Sequence, residues 1–226
     1  NFNGGTFTLV NGTSFTGPST SLLLGGNQTT NVEGAFTLDV LTLTGGTLNL
    51  DTLGGGTVFT INNSFTWQGS STITGGGSGT LLIAGGATAD ATTASSSRSL
   101  SNVIVDNQGI WTQAAAVNNP LQLNDGTVFN NNNSFVMLST AGMSNFNVDA
   151  NFNNNTGATF TLNSSGNTVI GAGVAFNNTA ASIDVIAGSL QLSGGGIFSG
   201  ITTLPGGPIN FNGGTFTLVN GTSFTG

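Results

Sequence analysis

A large apolar residue recurs about every 23 residues along the chain, and this period restricts the possible folds more than any other feature of the sequence. The nine steps from Phe15 to Phe224 span 209 residues. Repeats of about 20–50 residues are typical of solenoids, propellers and repeat arrays. The recurring positions, which we call the candidate core ladder, are Phe15, Phe36, Phe59, Ile83, Val105, Phe129, Phe152, Phe176, Phe198 and Phe224.

A second repeat is identical letter for letter. The segment NFNGGTFTLVNGTSFTG occupies residues 1–17 and again residues 210–226. Repeats that diverge inside one domain do not stay identical over 17 residues. The sequence therefore predicts one repeat unit at residues 1–209 and the start of the next identical unit at residues 210–226, as in a tandem array.

Short segments between the ladder positions alternate polar and apolar residues, as in TFTLV, TLNL and ATFTL. This alternation is typical of β-strands with one buried face. Clusters of Gly and Asn separate the segments and supply turns. A unit of about 23 residues with two or three strands suits one coil of a parallel β-solenoid, in which successive coils stack about 4.8 Å apart. The predicted fold is all-β, with about nine coils in 209 residues.

Asparagine residues follow several ladder positions and are expected to stack at one corner of the coils. Their amides can hydrogen-bond along the axis, as in other in-register stacks. The candidate Asn ladder comprises Asn62, Asn107, Asn131, Asn154 and Asn178. Only 4% of the residues are charged, which also suits stacking, because like charges placed directly opposite each other repel.

An antiparallel sandwich or barrel would also give many short strands. The solenoid is favoured because the ladder positions are equivalent at every step rather than at every second step. The best helical candidate, residues 89–100, is interpreted as a Ser-rich excursion from the coils.

Composition excludes several classes of function. Arg98 is the only basic residue, and there is no His and no Cys. A basic face for phosphate groups is therefore missing, which argues against nucleic-acid binding. The usual Ser–His–Asp, Cys–His and Ser–Lys nucleophiles are excluded, as are disulfides and thiolate metal sites. No apolar run is long enough to span a bilayer. No catalytic residue, cofactor or metal ion is predicted.

Some chemistry remains open at this point. Paired carboxylates hydrolyse glycosidic bonds, and the chain has eight acids, which we interpret as solvated turn residues. They are Glu33, Asp39, Asp51, Asp90, Asp106, Asp125, Asp149 and Asp184. A single Asp could also hold Ca²⁺ with backbone carbonyls. Trp67 and Trp111 either form a sugar-stacking platform or, as we favour, complete the core.

Five Thr-x-Thr pairs raise the possibility of an ice-binding face. Such a face needs the pairs at one register in every coil, whereas here their offsets from the ladder vary. The pairs are Thr6/Thr8, Thr42/Thr44, Thr72/Thr74, Thr159/Thr161 and Thr215/Thr217.

Residues 4–17 (GGTFTLVNGTSFTG) and 55–89 (GGTVFTINNSFTWQGSSTITGGGSGTLLIAGGATA) resemble the glycine- and threonine-rich repeats of bacterial autotransporter passengers and filamentous-haemagglutinin-type adhesins. The resemblance implies a secreted, right-handed parallel β-helix at the cell surface that serves as an adhesin, matrix fibre or sheath. It implies no shared catalytic residue.

The expected function is that of a structural extracellular filament or stalk on a bacterial cell surface or matrix. Its partners would be identical repeats joined head to tail, lateral copies of itself, and a glycan or a neighbouring cell surface. The alternative is an adhesin module that binds glycan or protein through the polar Asn/Thr face or residues 89–100. A polysaccharide-active enzyme or an ice-binding solenoid ranks lower.

Overall fold

The computed structural model describes residues 1–15, 20–51, 54–92 and 96–226. These residues form strands and turns without a helix. In chain order the strands are β1 Phe2–Asn3, β2 Thr6–Leu9, β3 Ser21–Gly25, β4 Thr29–Val32, β5 Phe36–Leu43, β6 Gly46–Asn49, β7 Val58–Trp67, β8 Ser71–Thr74, β9 Thr80–Ile83, β10 Thr88–Ala91, β11 Arg98–Ser101, β12 Ile104–Asn107, β13 Ile110–Gln113, β14 Leu121–Asn124, β15 Val128–Asn131, β16 Ser134–Met137, β17 Met143–Ser144, β18 Ala150–Asn154, β19 Thr159–Ile170, β20 Val174–Leu192, β21 Gly196–Thr203, β22 Ile209–Phe211 and β23 Phe216–Thr225.

Every strand pairing in the described residues is parallel, and each strand of the middle coils pairs with the strand three places further along the chain. Three strands therefore make one coil, and each coil stacks on the one before it. This arrangement is a parallel β-solenoid, with about nine turns of about 23 residues each. The antiparallel sandwich considered from the sequence is excluded, because consecutive strands lie on different faces instead of forming hairpins.

We number the three faces by their strands. The first face contains β1, β3, β10, β13 and β16, and the second contains β2, β4, β6, β8, β11, β14, β17 and β22. The third contains β9, β12, β15 and β18. The longer strands β5, β7, β19, β20, β21 and β23 run past a corner and contribute to two or three faces; in most of them the pairing register shifts at the corner.

The core is the interior of the tube. Strands on all three faces alternate half-exposed and buried residues, so every second side chain points inward. Because stacked coils present equivalent residues at the same place, the inward side chains form columns parallel to the axis. Within the described ranges, forty-one buried apolar residues belong to one continuous cluster from Leu9 to Phe198.

The Ser-rich excursion lies partly outside the described residues, at 93–95. On either side of it, Thr88–Ala91 and Arg98–Ser101 are strands, so the helical alternative does not hold for those residues.

Candidate functional site

The inward column of the third face contains most of the candidate core ladder. Phe36 pairs with Phe59, and Val105, Phe129, Phe152 and Phe176 follow one another in register. The rings stack, with centroids 5.1 Å apart for Phe129 and Phe152 and 5.2 Å for Phe152 and Phe176. In this column the phenylalanines from Phe36 to Phe176 are almost completely buried, which makes it a continuous interior row.

Ile83 is not a member of this column. Leu81 stands between Phe59 and Val105, and Ile83 lies two residues further on. Both side chains point inward, because a shift of two residues keeps a side chain on the same face of a strand. Alternation alone therefore cannot distinguish them.

The ends of the ladder also depart from the prediction. Phe15 meets Phe36 edge to face at 5.5 Å, and Phe198 stacks on Phe176 at 5.9 Å although its backbone partner is Asn178. Phe224 is wrongly assigned, because it pairs with Thr202 on the first face. It lies one face beyond the column that it was expected to continue.

A second aromatic column lies on the first face and was not predicted. Trp111, Phe135 and Phe160 follow in register, with the rings of Phe135 and Phe160 stacked at 5.6 Å. They meet the third-face rings edge to face, as Phe129 and Phe135 do at 5.5 Å. Both Trp67 and Trp111 are buried in this core, so they cannot form a sugar-stacking platform.

The corner between the third and first faces carries an inward-facing column of side chains that we call the corner column. Its later members form an amide ladder. Asn107, Asn131, Asn154 and Asn178 are fully or almost fully buried. Each Nδ2 donates to the Oδ1 of the next residue, at 2.9, 2.8 and 2.7 Å. The same Nδ2 atoms also donate to main-chain carbonyls of the next coil, such as that of Ser134 at 2.9 Å. The ladder thus satisfies both side-chain and backbone groups at a buried corner.

Asn62 does not belong to the corner column. It is exposed, and the column passes instead through Leu38, Ile61 and Ile83 before it reaches Asn107. The spacing contains the signal that separates them. Each ladder asparagine comes two residues after a third-face core residue, whereas Asn62 comes three after Phe59.

Two further amide ladders run along the outside of the same region. Asn177 donates to Asn153 and Asn153 to Asn130, both at 2.9 Å. In the other ladder, Asn155 donates to Asn132 and Asn132 to Asp106, at 2.7 and 2.6 Å. These outer ladders donate toward earlier coils, whereas the corner column donates toward later ones. Runs such as FNNNN and FNNNT were the sequence signal for them.

The second face carries a groove of about 450 Å³ lined by neutral polar side chains. Along its middle, Thr29, Thr47 and Thr72 stand in register, with Thr6 before them and Ser99 after them. We call this row the hydroxyl column. The groove lining, as far as the structure describes it, is Asn27, Gln28, Thr29, Gly46, Thr47, Ser70, Ser71, Thr72, Ser97, Ser99 and Gln122.

The Thr-x-Thr pairs do not share one face. Thr6/Thr8 and Thr72/Thr74 lie on the second face, and Thr159/Thr161 lies on the first. In the two coils between Thr6/Thr8 and Thr72/Thr74, Asn31 and Asn49 take the place of the second threonine of the pair. The second face therefore has one continuous row of hydroxyls, the hydroxyl column, and beside it a row made of both Thr and Asn.

Several carboxylates accept hydrogen bonds from neighbouring polar groups. Asp106 accepts from Asn132 and from Gln108, and Asp125 accepts from Asn147 at 2.9 Å and from Ser101. The groove lining contains no carboxylate among the described residues. Those residues also contain no group of three His, Cys, Asp or Glu that could hold a metal ion. The described lining of the groove therefore offers no pair of acids of the kind that glycoside hydrolysis requires.

Arg98, the single basic residue, points into the core and is 1% exposed. Its Nε donates to the carbonyl of Trp67 and its Nη1 to the carbonyl of Ser96, both at 3.2 Å. Burial lowers the pKa of the guanidinium. These bonds join the end of β7 to Ser96, just before β11 on the second face, and the buried guanidinium offers no surface charge to a ligand.

No family model, no curated protein and no solved structure matches this chain. Among the described residues, no helix is long and apolar enough to cross a membrane. The likeness to autotransporter passengers and haemagglutinin-type adhesins therefore stays at the level of the quoted sequence motifs.

Proposed function

We propose that the protein is a structural filament or stalk built of tandem β-solenoid units, exposed outside a bacterial cell. The observation that carries the proposal is the continuity of the interior columns along the axis. In a stack of this kind each coil contacts only its neighbours, so length can be added without changing the fold. The identity of residues 1–17 and 210–226 supplies a sequence through which one unit can continue into the next.

The side chains suit a mechanical role. Deforming the tube would separate stacked rings and corner amides together, because both follow the axis across the same coils. The surface carries few charges, with eight acids spread over 226 residues. Copies can then lie side by side without strong repulsion, which fits a filament whose partners are further copies of itself. The proposal assigns the protein no catalytic activity.

The test is electron cryomicroscopy of a chain of four tandem 209-residue units. We expect rods with a strong layer line near 4.8 Å along the long axis and a length proportional to the number of units. A four-unit chain that forms separate globular particles, or rods whose strands run along the axis, would refute the filament.

An adhesin is the second candidate, and the groove on the second face is the observation that favours it. A neutral groove lined by hydroxyls and amides can hydrogen-bond an uncharged glycan. On a glycan array, Thr47→Lys should abolish binding, while Thr66→Lys on the first face should retain it. If the unmodified chain binds no glycan, the adhesin is rejected and the filament is unaffected.

A further inference from the structure

Residues 1–15 of the first copy and their equivalents 210–224 lie on different faces of the solenoid. In the first copy, Phe2 pairs with Leu24 on the first face and Phe7 pairs with Thr30 on the second. In the second copy, the equivalent Phe211 pairs with Leu192 on the second face, and Phe216 pairs with Gly196 on the third. Each residue has moved forward by one face.

The third phenylalanine of the segment moves in the same way. Phe15 contacts Phe36 of the third face, whereas its equivalent Phe224 pairs with Thr202 of the first face. Two strand pairings and one ring contact therefore agree on the displacement, which is one strand of a three-stranded coil.

The glycine bends of the segment are nevertheless alike in both copies, although residues 11–12 form a turn in the first copy and their equivalents lie within β23 in the second. Gly4 and Gly213 have φ of 108° and 117°, and Gly5 and Gly214 have φ of 80° and 70°. Gly12 and Gly221 agree as well, at 86° and 91°. These left-handed or related conformations are available mainly to glycine, so they act as fixed bends. The segment keeps these three bends and changes the face on which it sits.

The number of coils accounts for the displacement. After β1, the first face is visited nine more times before β22 pairs on the second face. These visits begin at residues 21, 40, 64, 88, 110, 134, 159, 182 and 201. From Phe2 to Phe211 the chain thus completes nine coils and one further strand, or about nine and one-third coils.

We propose that successive 209-residue units are rotated by one face, or about 120°, around the filament axis. This inference rests on the tandem array of the proposed function. The C-terminal segment pairs with earlier strands and so shows how a unit begins on the end of the unit before it. The N-terminal segment pairs with later strands and so shows how the unit continues from that beginning. Since both have the same bends, one segment can make both sets of contacts.

The rotation decides what the filament displays. At about 4.8 Å per coil, each unit advances about 45 Å. The groove of one unit points about 120° away from the groove of the next, and the direction returns after three units, or about 134 Å. Every side of the filament therefore presents every surface of the unit in turn.

A crosslink distinguishes the rotated arrangement from an unrotated one. The chain has no cysteine, so introduced pairs are unambiguous. Rotated seating pairs Asn210 with Gln191, and both side chains face outward. Unrotated seating, in which Phe211 would lie on the first face as Phe2 does, instead places Asn210 beside Asp184, in the position that Thr203 occupies in the structure. Paired backbone positions lie within the Cα separation of about 4.4–6.8 Å that a disulfide spans.

We expect mild oxidation of the double variant Gln191→Cys/Asn210→Cys in the 226-residue chain to consume both thiols. In the matched variant Asp184→Cys/Asn210→Cys both thiols should remain free. Closure of the second pair instead of the first, or of neither, would overturn the rotated seating. In four-unit rods, cryomicroscopy should give a rotation of about 120° per unit. Rods without rotation would reject this inference and leave the filament intact, whereas particles that are not rods would reject the filament itself.

Discussion

The corner column is apolar in the first coils and amide in the later ones. Leu38, Ile61 and Ile83 occupy it before Asn107, and Asn131, Asn154 and Asn178 continue it. The apolar part needs only side chains of suitable volume, because dispersion contacts have no fixed direction. The amide part works only when each Nδ2 meets the next Oδ1. The comparison shows that the side chain at one position of the coil only fills the core in the early coils. In the later coils it also fixes the register between adjacent coils.

The largest effect is expected when an amide is placed inside the apolar part. Ile61→Asn would bury an amide between Leu38 and Ile83, neither of which offers a partner. We expect a loss of about 4 kcal/mol in the free energy of unfolding, from lost apolar burial together with unsatisfied polar groups. Urea unfolding measures the change. Ile61→Leu, a volume-conserving control, should cost less than about 1.5 kcal/mol; equal losses in the two variants would contradict the reasoning.

The reciprocal change interrupts the amide part. Asn131→Leu removes the acceptor of Asn107, the donor to Asn154 and the donor to the carbonyl of Thr159. We expect a loss of about 3 kcal/mol, because these groups stay buried without their partners. Hydrogen exchange of the amides in β15 and β18 should accelerate with it. Asn132→Ala at the exposed neighbouring position is the control, and a ladder variant no less stable than this control would refute the role of the ladder.

A smaller effect is expected at the boundary between the two parts. The Oδ1 of Asn107 is buried and accepts no hydrogen bond in the structure. Ile83→Asn would place an Nδ2 beside it and extend the ladder by one residue, so we expect a change within about 1 kcal/mol. The same substitution in an Asn107→Leu background should be clearly destabilising. A double-mutant cycle by urea unfolding gives the coupling, and a coupling near zero would show that no new bond forms.

The smallest effect is expected in the outer ladder. Asn153 donates a hydrogen bond to Asn130 and accepts one from Asn177. Because Asn153 is only half-buried, water can replace both bonds. Asn153→Ala should cost about 0.5 kcal/mol, far less than Asn131→Leu in the same coils. Thermal unfolding of both variants in one buffer makes the comparison. A similar loss for the two would mean that burial does not separate the ladders.

The sequence predicted the fold because the periods of the coil and of the strand are both visible in it. Phe129, Phe152 and Phe176 mark the coil, and the alternation around them marks the strands. It misplaced Ile83 because alternation has a period of two and accepts Leu81 or Ile83 equally. Corner lengths decide between these two residues, and they depend on turns that are packed by the neighbouring coils.

The candidate surfaces were harder to foresee. The hydroxyl column unites Thr29, Thr47 and Thr72 across unequal spacings of 18 and 25 residues, so a fixed period does not find it. The displacement of Phe224 was hidden for a related reason. A count of residues gives the number of ladder steps, but only the strand pairing shows that the unit ends one face later than it began.

The neutrality of the corner column has a consequence for the settings in which the solenoid keeps its shape. Carboxamides and phenyl rings neither gain nor lose protons over the range of acidity found in soil, seawater or tissue, and dissolved ions do not screen their contacts. The cohesion that the amide and ring columns supply between adjacent coils should therefore depend little on pH and salt concentration. The columns of a fibre held together in this way should keep their contacts when the salt concentration of the surroundings rises or their pH falls.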